Sequence, residues 1–220
     1  MSAREKTVRG RLITLEGGEG AGKSTVLAAV REQLIAAGHD VVQTREPGGT
    51  PVGEALRAVV LDAQYRGMCA QSELLLMFAA RAELVRSVIE PALAAGQWVL
   101  SDRFTDASFA YQGGGRGQPQ ERIAELENWA ANGLQPDLTL LLDLPVEQGL
   151  ARMRERAAAD RIELEAVTFF ERVRAAYRAR AAAQPQRFRM IDASQSLEKV
   201  LAATRTTLAE FLQSSSVASS

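Results

Sequence analysis

Short apolar runs alternate along the chain with longer stretches whose apolar residues recur every three or four positions. The short runs predict five β-strands, at residues 12–15, 41–44, 98–101, 138–142 and 188–191. The longer stretches predict helices at residues 25–37, 51–61, 72–95 and 121–131, an arginine-rich helical pair at 146–183, and a closing helix at 197–212. Because strands that alternate with helices pair in parallel through right-handed crossovers, the pattern predicts a three-layer α/β domain with a parallel sheet.

Three segments carry further structural expectations. The apolar face of the helix at 72–95 is predicted to consist of Leu75, Phe78, Ala82, Val85 and Ile89. Pro91 predicts a kink near the end of this helix. Residues 112–118 are rich in glycine and predict a loop. Residues 214–220 predict a frayed tail, which leaves 10–213 as the ordered core of a single domain spanning 1–220.

Composition and charge argue against several classes of protein. The 220 residues include 26 basic and 27 acidic side chains, so the chain lacks the basic excess of a general nucleic-acid binder. No apolar run approaches the roughly 18 residues of a membrane span, and the basic N-terminal residues lack the apolar segment of a signal peptide, so we expect a cytoplasmic protein. The single cysteine, Cys69, is expected to be buried or inert, and the single histidine, His39, is expected at the surface without a role.

Residues 17–24, between the first predicted strand and helix, read Gly-Gly-Glu-Gly-Ala-Gly-Lys-Ser and match the phosphate-binding pattern GxxxxGK[ST] without a mismatch. Glycines let backbone N–H groups converge on an anion at the start of the helix. Lys23 adds a positive charge, and Ser24 offers its hydroxyl to Mg²⁺. The residues predicted to hold the donor nucleotide here are Gly17, Gly18, Glu19, Gly20, Ala21, Gly22, Lys23, Ser24 and Thr25. A glycine-rich turn without a ligand is the alternative.

Three arginines are placed to add positive charge around reacting phosphates. Arg45 and Arg103 follow predicted strands, and Arg81 lies on a helix that can face the same edge of the sheet. Since a guanidinium holds a phosphate through paired N–H donors, the three together predict a clamp for a second phosphate. Asp102 is a candidate for holding the water shell of Mg²⁺. The alternatives are solvated arginines and a simple ion pair between Asp102 and Arg103.

Six segments, in this order, resemble bacterial thymidylate kinase. They are the phosphate loop with Glu19, then 45–50 (Arg-Glu-Pro-Gly-Gly-Thr), 78–81 (Phe-Ala-Ala-Arg), 102–104 (Asp-Arg-Phe), 110–117 (Ala-Tyr-Gln-Gly-Gly-Gly-Arg-Gly) and 142–143 (Leu-Asp). The resemblance spans about residues 11–212 and implies a P-loop nucleoside monophosphate kinase-like fold with the five-stranded parallel sheet. It also implies transfer of the γ-phosphate of ATP to dTMP, with Mg²⁺, to give dTDP and ADP in dTTP synthesis, by a homodimer.

The resemblance implies roles for matching residues around the acceptor nucleotide. Glu19 would accept a hydrogen bond from the sugar 3′-hydroxyl, while Arg45 and Arg103 would hold the acceptor phosphate. Arg81 would meet the 4-carbonyl of thymine, and Ser108 would lie against the ring imide. Lys23 and Arg103 are expected to be catalytic through their charge.

Two aromatic positions and an amide complete the implied acceptor site. Tyr111 would lie under the sugar and disfavour a 2′-hydroxyl, and Gln112 would complete that wall. Phe78 would stack on thymine. The family often places its stacking aromatic four residues before the base-reading arginine, a position that Met77 occupies here, whereas Phe78 is three residues before Arg81. An ordinary core aromatic is therefore the alternative for Phe78.

Residues 151–162 resemble the lid of the same family. On a helix, Arg152 and Arg156 are like charges four residues apart, which costs about 0.2–0.5 kcal/mol unless an anion lies nearby. Because the phosphate loop contains no basic residue before its lysine, we predict that Arg156 and Arg161 reach the transferring phosphoryl group when the lid closes and excludes water. A solvated helical face is the alternative. The resemblance also implies that Arg152 and residues 192–194 surround the adenine.

Two other functions fit a phosphate loop. A P-loop switch or motor would bind nucleotide to control a partner, but the chain carries neither an NKxD nor an LSGGQ signature. A related kinase would phosphorylate another nucleoside monophosphate or a deoxynucleoside. The requirement for a particular phosphate acceptor distinguishes these functions from dTMP phosphorylation.

Overall fold

The structure, a computed structural model, describes residues 9–154 and 160–217. Its strands are β1 (Leu12–Gly17), β2 (Val41–Arg45), β3 (Trp98–Asp102), β4 (Leu138–Asp143) and β5 (Phe188–Asp192). Its α-helices are α1 (Lys23–Ala36), α2 (Pro51–Leu61), α3 (Ala70–Leu84), α4 (Glu90–Ala94), α5 (Thr105–Ser108), α6 (Gln120–Ala130), α7 (Val146–Arg154), α8 (Val167–Ala183) and α9 (Leu197–Val217). A 3₁₀ turn spans Ala63–Tyr65, and π-helical segments span Val85–Ile89 and Phe109–Gly115.

The five strands form one parallel sheet in the order β2-β3-β1-β4-β5, which confirms the predicted sheet. The central strand, β1, is buried along its whole length, as expected for an apolar run covered on both faces. Leu15 pairs with Asp102 of β3, and Gly17 pairs with Leu142 of β4. The carboxyl ends of these three strands therefore meet at one edge, where ligands of parallel α/β sheets bind.

Alternating side chains of β1 supply two apolar layers, one on each face of the sheet. Ile13 and Leu15 belong to a core that includes Leu34 of α1 and Leu208 of α9. Leu12 belongs to a second core, with residues of the π-helical segment that follows α3. Helices thus cover both faces, and the domain has the predicted three layers.

The long helix predicted at 72–95 consists of α3, a π-helical segment and α4. Pro91 has no N–H to donate and its ring crowds the preceding turn, which explains why the widened segment lies directly before it. The predicted apolar face was wrong at Leu75, whose residue is 58% exposed. The buried face instead includes the charged residues Glu73 and Arg81, because each finds buried partners of opposite charge.

The loop predicted at 112–118 was wrong in its first half, because α5 continues as a π-helical segment to Gly115. Its glycines serve close packing rather than a turn. A Cβ atom on Gly114 would lie 2.8 Å from the carbonyl oxygen of Arg172, and one on Gly115 would lie 2.4 Å from the ring of Phe169. The missing side chains therefore let this segment approach α8.

Other local expectations had mixed outcomes. The predicted helical pair at 146–183 is present as α7 and α8, and α9 continues to Val217, past its predicted end. Cys69 is exposed rather than buried. His39 stacks on Trp98, with ring centroids 4.1 Å apart. Within the part of the chain that the structure describes, no helix combines the length and the apolarity needed to cross a membrane.

Candidate active site

The phosphate loop joins the buried strand β1 to α1, as the sequence pattern predicts. Gly20 and Gly22 have φ angles of 70° and 86°, in the left-handed region that favours glycine. Gly20 also touches the backbone of α7, because a Cβ atom there would lie 2.2 Å from the carbonyl oxygen of Gly149. The loop is thus held in shape at the N-terminus of a 14-residue helix, whose first N–H groups are available to an anion.

Lys23 lies across this loop. Its Nζ donates to the carbonyl oxygens of Gly17 (3.1 Å) and Gly18 (3.0 Å). Burial lowers the pKa of the ammonium group and Arg103 lowers it further, while the charge of Glu19 raises it. A phosphate oxygen is a stronger acceptor for an ammonium group than a neutral carbonyl, so Lys23 can exchange these bonds for contacts to a bound nucleotide.

Arg103 connects the phosphate loop to a neighbouring cavity that Tyr111 also lines. Its φ angle is 70°, which is uncommon for a residue with a side chain, and it places the guanidinium against the loop. One nitrogen donates to the carbonyl oxygen of Gly17 (2.8 Å), and another donates to Oε1 of Glu19 (2.7 Å). The guanidinium carbon lies 4.8 Å from the centre of the Tyr111 ring. Arg103 therefore contacts both the phosphate loop and the neighbouring Glu19 and Tyr111.

Glu19 is held by two donors. The hydroxyl of Tyr111 donates to the same Oε1 atom that Arg103 contacts, at 2.7 Å. Burial would raise the pKa of Glu19, but the charges of Arg103 and Lys23 outweigh it and lower the pKa to about 2. The carboxylate is therefore ionised at neutral pH and can accept a hydrogen bond from a ligand hydroxyl.

An open-sided cavity of about 580 Å³ adjoins Arg103 and Glu19. Its volume lies in the range of small-ligand pockets. Its charged lining residues are Glu19, Glu46, Arg57, Arg103 and Asp160. Its apolar and aromatic lining residues are Val60, Leu61, Met77, Tyr111 and Ile162, among others. This combination suits a ligand that carries an anionic group on a largely apolar ring system.

Arg57 is a cavity residue that the sequence reasoning missed. Its guanidinium donates to the carbonyl oxygen of Pro47 at 2.9 Å. Burial and the nearby charge of Arg45 lower the pKa of this guanidinium. Arg57 lies four residues after Gly53 and three before Val60, and both of these are buried. Helical periodicity could therefore have placed an arginine on the inner face of α2.

Arg81 and Ser108 are fully buried and do not line the cavity. The guanidinium of Arg81 bonds to Oε2 of Glu46 (2.6 Å), the hydroxyl of Ser108 (3.0 Å) and the carbonyl oxygen of Phe104 (3.1 Å). Burial raises the pKa of Glu46, while Arg81 lowers it, with a net increase. Oε1 of Glu46 has no hydrogen-bond partner among the described residues. Arg81 thus orients a carboxyl group at the cavity.

Met77, rather than Phe78, lines the cavity. Phe78 packs in a buried cluster that includes Phe109 and Ile123, and its ring lies 4.4 Å from the guanidinium carbon of Arg81. Successive helical residues point about 100° apart, so only one of the two can face the cavity. The placement fits the alternative of a core aromatic for Phe78.

Ser24, Arg45 and Asp102 line a second, more open depression. The side chain of Arg45 is 53% exposed and donates to Glu54 at 2.9 Å, so it does not line the cavity of Arg103. Oδ1 of Asp102 is buried without a hydrogen-bond partner among the described residues.

The oxygen atoms of Ser24 and Asp102 fit Mg²⁺. The described residues contain no group of three histidine, cysteine or acidic side chains that could hold a metal ion. Mg²⁺ commonly binds through one or two protein oxygens plus water and substrate phosphates, so a sparse donor set is compatible with it.

Glu73 gathers three donors beneath the cavity. Its carboxylate accepts from Gln112 (2.9 Å), Arg116 (3.1 Å) and Arg161 (2.8 Å). Burial would raise the pKa of Glu73, but Gln112 and the two arginines outweigh it and lower the pKa. Arg161 also donates to the carbonyl oxygen of Val60 at 2.6 Å. In this structure Arg161 is therefore buried as an anchor beside Glu73 and does not contact the phosphate loop. Its approach to the transferring phosphoryl group on closure of the lid stays a prediction.

Tyr111 and Gln112 both line the cavity, next to one another on the π-helical segment. Tyr111 is tied to Glu19, and Gln112 is tied to Glu73 through its amide nitrogen. Oε1 of Gln112 is buried and has no hydrogen-bond partner in the described part of the chain. Tyr111 and Gln112 thus form adjoining parts of the cavity lining.

The beginning of the predicted lid approaches the phosphate loop. Arg152 of α7 donates to the carbonyl oxygens of Gly20 (3.4 Å) and Ala193 (3.3 Å). It therefore joins the loop to the segment after β5 that is implied to surround adenine. Arg156 lies outside the residues that the structure describes.

Comparison with known proteins agrees with this geometry. The family model described as thymidylate kinase matches residues 15–203. The chain is 58% identical over 202 residues to a protein named thymidylate kinase from Alkalilimnicola ehrlichii, covering 91% of this chain and 93% of that relative. It is 54% identical over 202 residues to a thymidylate kinase from Cupriavidus metallidurans, covering 92% and 99%. It is 56% identical over 207 residues to one from Chromohalobacter salexigens, covering 93% and 98%. The chain therefore belongs to the thymidylate kinase family.

Proposed function

We propose that the protein transfers the γ-phosphate of ATP to dTMP in the cleft between the phosphate loop and the Tyr111 cavity. The single observation that carries this proposal is the position of Arg103, whose guanidinium bonds both to Gly17 of the loop and to Glu19 at the cavity. ATP on the loop and dTMP in the cavity would present their phosphates to one another across this side chain. The named relatives are thymidylate kinases over nearly the whole chain.

The donor half of the site acts through backbone amides and Lys23. The loop amides cradle the phosphates of ATP, and Lys23 leaves the carbonyl oxygens that it contacts to follow the γ-phosphate. Ser24 and Asp102 would hold Mg²⁺, which when bound would neutralise charge on the phosphates. Arg152 places α7 beside the adenine side of the loop.

The acceptor half orients dTMP. Arg103 binds the acceptor phosphate, and Arg57 of the same cavity assists it, while Arg45 approaches from the second depression. Glu19 accepts a hydrogen bond from the 3′-hydroxyl, and Tyr111 excludes a 2′-hydroxyl.

The thymine ring lies against Met77, with Gln112 completing the wall of the cavity. Arg81 acts through the carboxyl group of Glu46 that it orients, and Ser108 fixes the other side of the same guanidinium. Movement of Glu46 on binding would let Arg81 reach the 4-carbonyl directly.

The chemistry needs position and charge more than a proton acceptor. A phosphate oxygen of dTMP is already ionised at neutral pH, so the nucleophile requires no general base. Arg103 and Lys23 neutralise charge as the phosphoryl group moves, and the arginines hold the two nucleotides in line. Arg156 of the lid would add a further charge when the lid closes over the phosphates.

We also propose that two copies of the chain form a homodimer. Trp129 and Leu75 are 81% and 58% exposed, and both line a groove between α3 and α6 with Leu74 and Leu126. Contiguous exposed apolar groups mark association surfaces, and the same face on a second copy would be self-complementary. Sedimentation of the wild type as a dimer, and of Trp129→Glu as a monomer, is expected, and a monomeric wild type would refute the proposal.

The decisive experiment is an acceptor test. ADP formation is measured with ATP, Mg²⁺ and, in turn, dTMP, dCMP, AMP or thymidine. Turnover on the order of 1–100 s⁻¹ is expected with dTMP and less than about 1% of it with the others. Equal hydrolysis without an acceptor would indicate a P-loop switch, and preference for another monophosphate would indicate a related kinase.

A further inference from the structure

Two buried side chains, Glu16 and Tyr177, lie behind Arg103 and have no assigned role in the proposed reaction. Glu16 is on β1 and Tyr177 is on α8, and both are almost completely buried. The hydroxyl of Tyr177 donates to Oε2 of Glu16 at 2.7 Å. One guanidinium nitrogen of Arg103 donates to the same hydroxyl oxygen at 3.2 Å. The three side chains thus form a continuous chain of hydrogen bonds.

Glu16 also holds the backbone next to Arg103. Its Oε1 accepts from the N–H of Phe104 at 2.7 Å. Arg103 has a left-handed φ angle, which a residue with a side chain keeps only when its surroundings hold it there. The peptide N–H of Arg103 donates to Leu15, and its carbonyl oxygen accepts from Ser101. Glu16, Leu15 and Ser101 therefore all hold the backbone of this turn. Glu16 is also connected to the side chain of Arg103, through the hydroxyl of Tyr177.

The direction of these bonds suits a supporting role. Burial raises the pKa of Tyr177 well above its usual value, so its hydroxyl keeps its proton. Its oxygen accepts from Arg103 whether or not Glu16 is ionised, because a guanidinium has only donors. Asp106, an acidic group near Glu16, is already paired with Arg187 and Arg180. Arg103 consequently meets a neutral acceptor behind it and keeps its charge for the front of the site.

We propose that Tyr177 and Glu16 are positioning residues, which hold the strained backbone and the guanidinium of Arg103 in the orientation that receives the acceptor phosphate. This inference rests on the proposed function, because the proposed function is what assigns Arg103 to the acceptor phosphate. Neither residue lines the acceptor cavity, although Tyr177 borders a separate pocket that Gly17, Gly18 and Glu19 also line. We expect the effect of both residues to pass through Arg103 and to appear in the use of dTMP rather than of ATP.

The first test is Tyr177→Phe, which removes one hydroxyl and keeps the buried ring. We expect kcat/KM for dTMP to fall about tenfold, as for the loss of one hydrogen bond to a charged group, with KM for ATP within about twofold of wild type. Tyr65→Phe is the matched control, because Tyr65 is exposed and distant in the chain, and it should change neither constant. Wild-type values of kcat and KM for dTMP in Tyr177→Phe would overturn the proposal.

A double-mutant cycle separates positioning from general loosening of the fold. The affinity for dTMP is measured by calorimetry in the wild type, Tyr177→Phe, Arg103→Ala and the double variant. We expect Tyr177→Phe to weaken binding about tenfold alone and by less than about twofold in the Arg103→Ala background. Equal losses in both backgrounds would contradict action through Arg103. If Tyr177→Phe does not fold, Glu16→Gln takes its place, and an unchanged kcat/KM for dTMP in that variant would refute the proposal.

The wild-type measurement separates the two levels of inference. Absence of dTMP-dependent turnover in the wild type would refute the proposed function and this inference with it. Normal wild-type turnover with an indistinguishable Tyr177→Phe variant would refute the positioning role alone.

Discussion

The two halves of the cleft use different chemical groups to meet a ligand, charged side chains in one and backbone amides in the other. The acceptor half consists of charged side chains that already have partners, such as Arg103 with Glu19 and Arg81 with Glu46. The donor half consists of backbone N–H groups arranged by glycines, with Lys23 as its one mobile cation in the loop. Both halves lie at the carboxyl end of the central strand β1.

The difference lies in what a ligand must displace. An anion that enters the donor half meets oriented dipoles that carry no counter-ion, so little has to be rearranged. In the proposed complex, a phosphate that enters the acceptor half would compete with Glu19 for Arg103, and a base would compete with Glu46 for Arg81. Recognition on the acceptor side is therefore an exchange of partners, which gives selectivity because a wrong ligand leaves buried charges unpaired. Substitutions in the two halves should consequently affect the two substrates separately.

The largest effect is expected from Arg103→Ala. Loss of a charged contact made to the acceptor phosphate should lower kcat/KM for dTMP about 10³-fold. Steady-state kinetics with varied dTMP would measure the effect on the acceptor half, and titration with ADP would measure the effect on the donor half. The affinity for ADP should stay within about threefold of the wild-type value. Arg189→Ala removes an arginine from the exposed face of β5 and is the control. Equal loss of ADP and dTMP binding would show that the donor and acceptor halves do not act separately.

Gly20→Ala should damage the donor half instead. The new Cβ would lie 2.2 Å from the carbonyl oxygen of Gly149, and the alanine would have to keep a φ angle of 70°. We expect the loop to move and ATP affinity to fall about 10²-fold, with dTMP binding nearly intact. Gly67→Ala is a matched control, since Gly67 also has a positive φ angle of 96° but has open space around it. Binding of a fluorescent ATP analogue to both variants measures this effect. A wild-type affinity of Gly20→Ala for the analogue would contradict the prediction.

Glu73→Gln should reduce stability. It leaves the buried Arg161 without its anionic partner and removes one of the two carboxylates that Arg116 contacts. We expect a loss of about 3 kcal/mol in the free energy of unfolding, or roughly 6–12 °C in Tm. Glu54→Gln removes a half-exposed partner of Arg45 and should cost less than about 1 kcal/mol. Thermal unfolding of the two variants would measure this, and similar Tm values would show that Glu73 is not an anchor.

A smaller effect should separate Met77 from Phe78. Met77→Ala removes apolar contact from the cavity, so KM for dTMP should rise about tenfold with little change in kcat. Phe78→Leu alters only the core, so Tm should fall while KM stays within about twofold. Steady-state kinetics and unfolding on both variants give the answer. The reverse pattern would return the thymine contact to Phe78.

The smallest effect concerns pH. Burial, and then the charge of Asp106, raise the pKa of Glu16 from 4.5 to about 8. Between these values the folded chain keeps a proton that the unfolded chain has released, so this group makes the fold less stable as pH rises. Glu16→Gln does not titrate, so its Tm relative to wild type should rise steadily from pH 5 to pH 8. A constant difference in Tm across this range would contradict the shift.

Much of the donor half could be predicted from sequence, because its elements are local. The strand, the glycine loop and α1 are contiguous, and the positions of Lys23 and Ser24 follow from one motif. The five parallel strands also followed from local apolar runs. The helix at 105–115 was missed because its glycines signal a turn, whereas their actual use is close approach to α8, a contact far away in sequence.

The acceptor half depended on tertiary structure. Motifs identified Arg103, Glu19 and Tyr111 but could not show that they form one hydrogen-bonded group. Arg57 carried only a periodic signal, and the sequence does not reveal that Glu73 pairs with Arg161.

The sequence by itself determined which backbone forms the phosphate loop, because glycine conformation and helix position are properties of neighbouring residues. It also determined the layered α/β fold, since apolar periodicity follows directly from residue order. Only the tertiary structure decided which arginines are free for a ligand and which are structural. That choice depends on where the acidic partners lie, and those partners come from segments that are distant in the chain and meet only when the sheet and helices have packed.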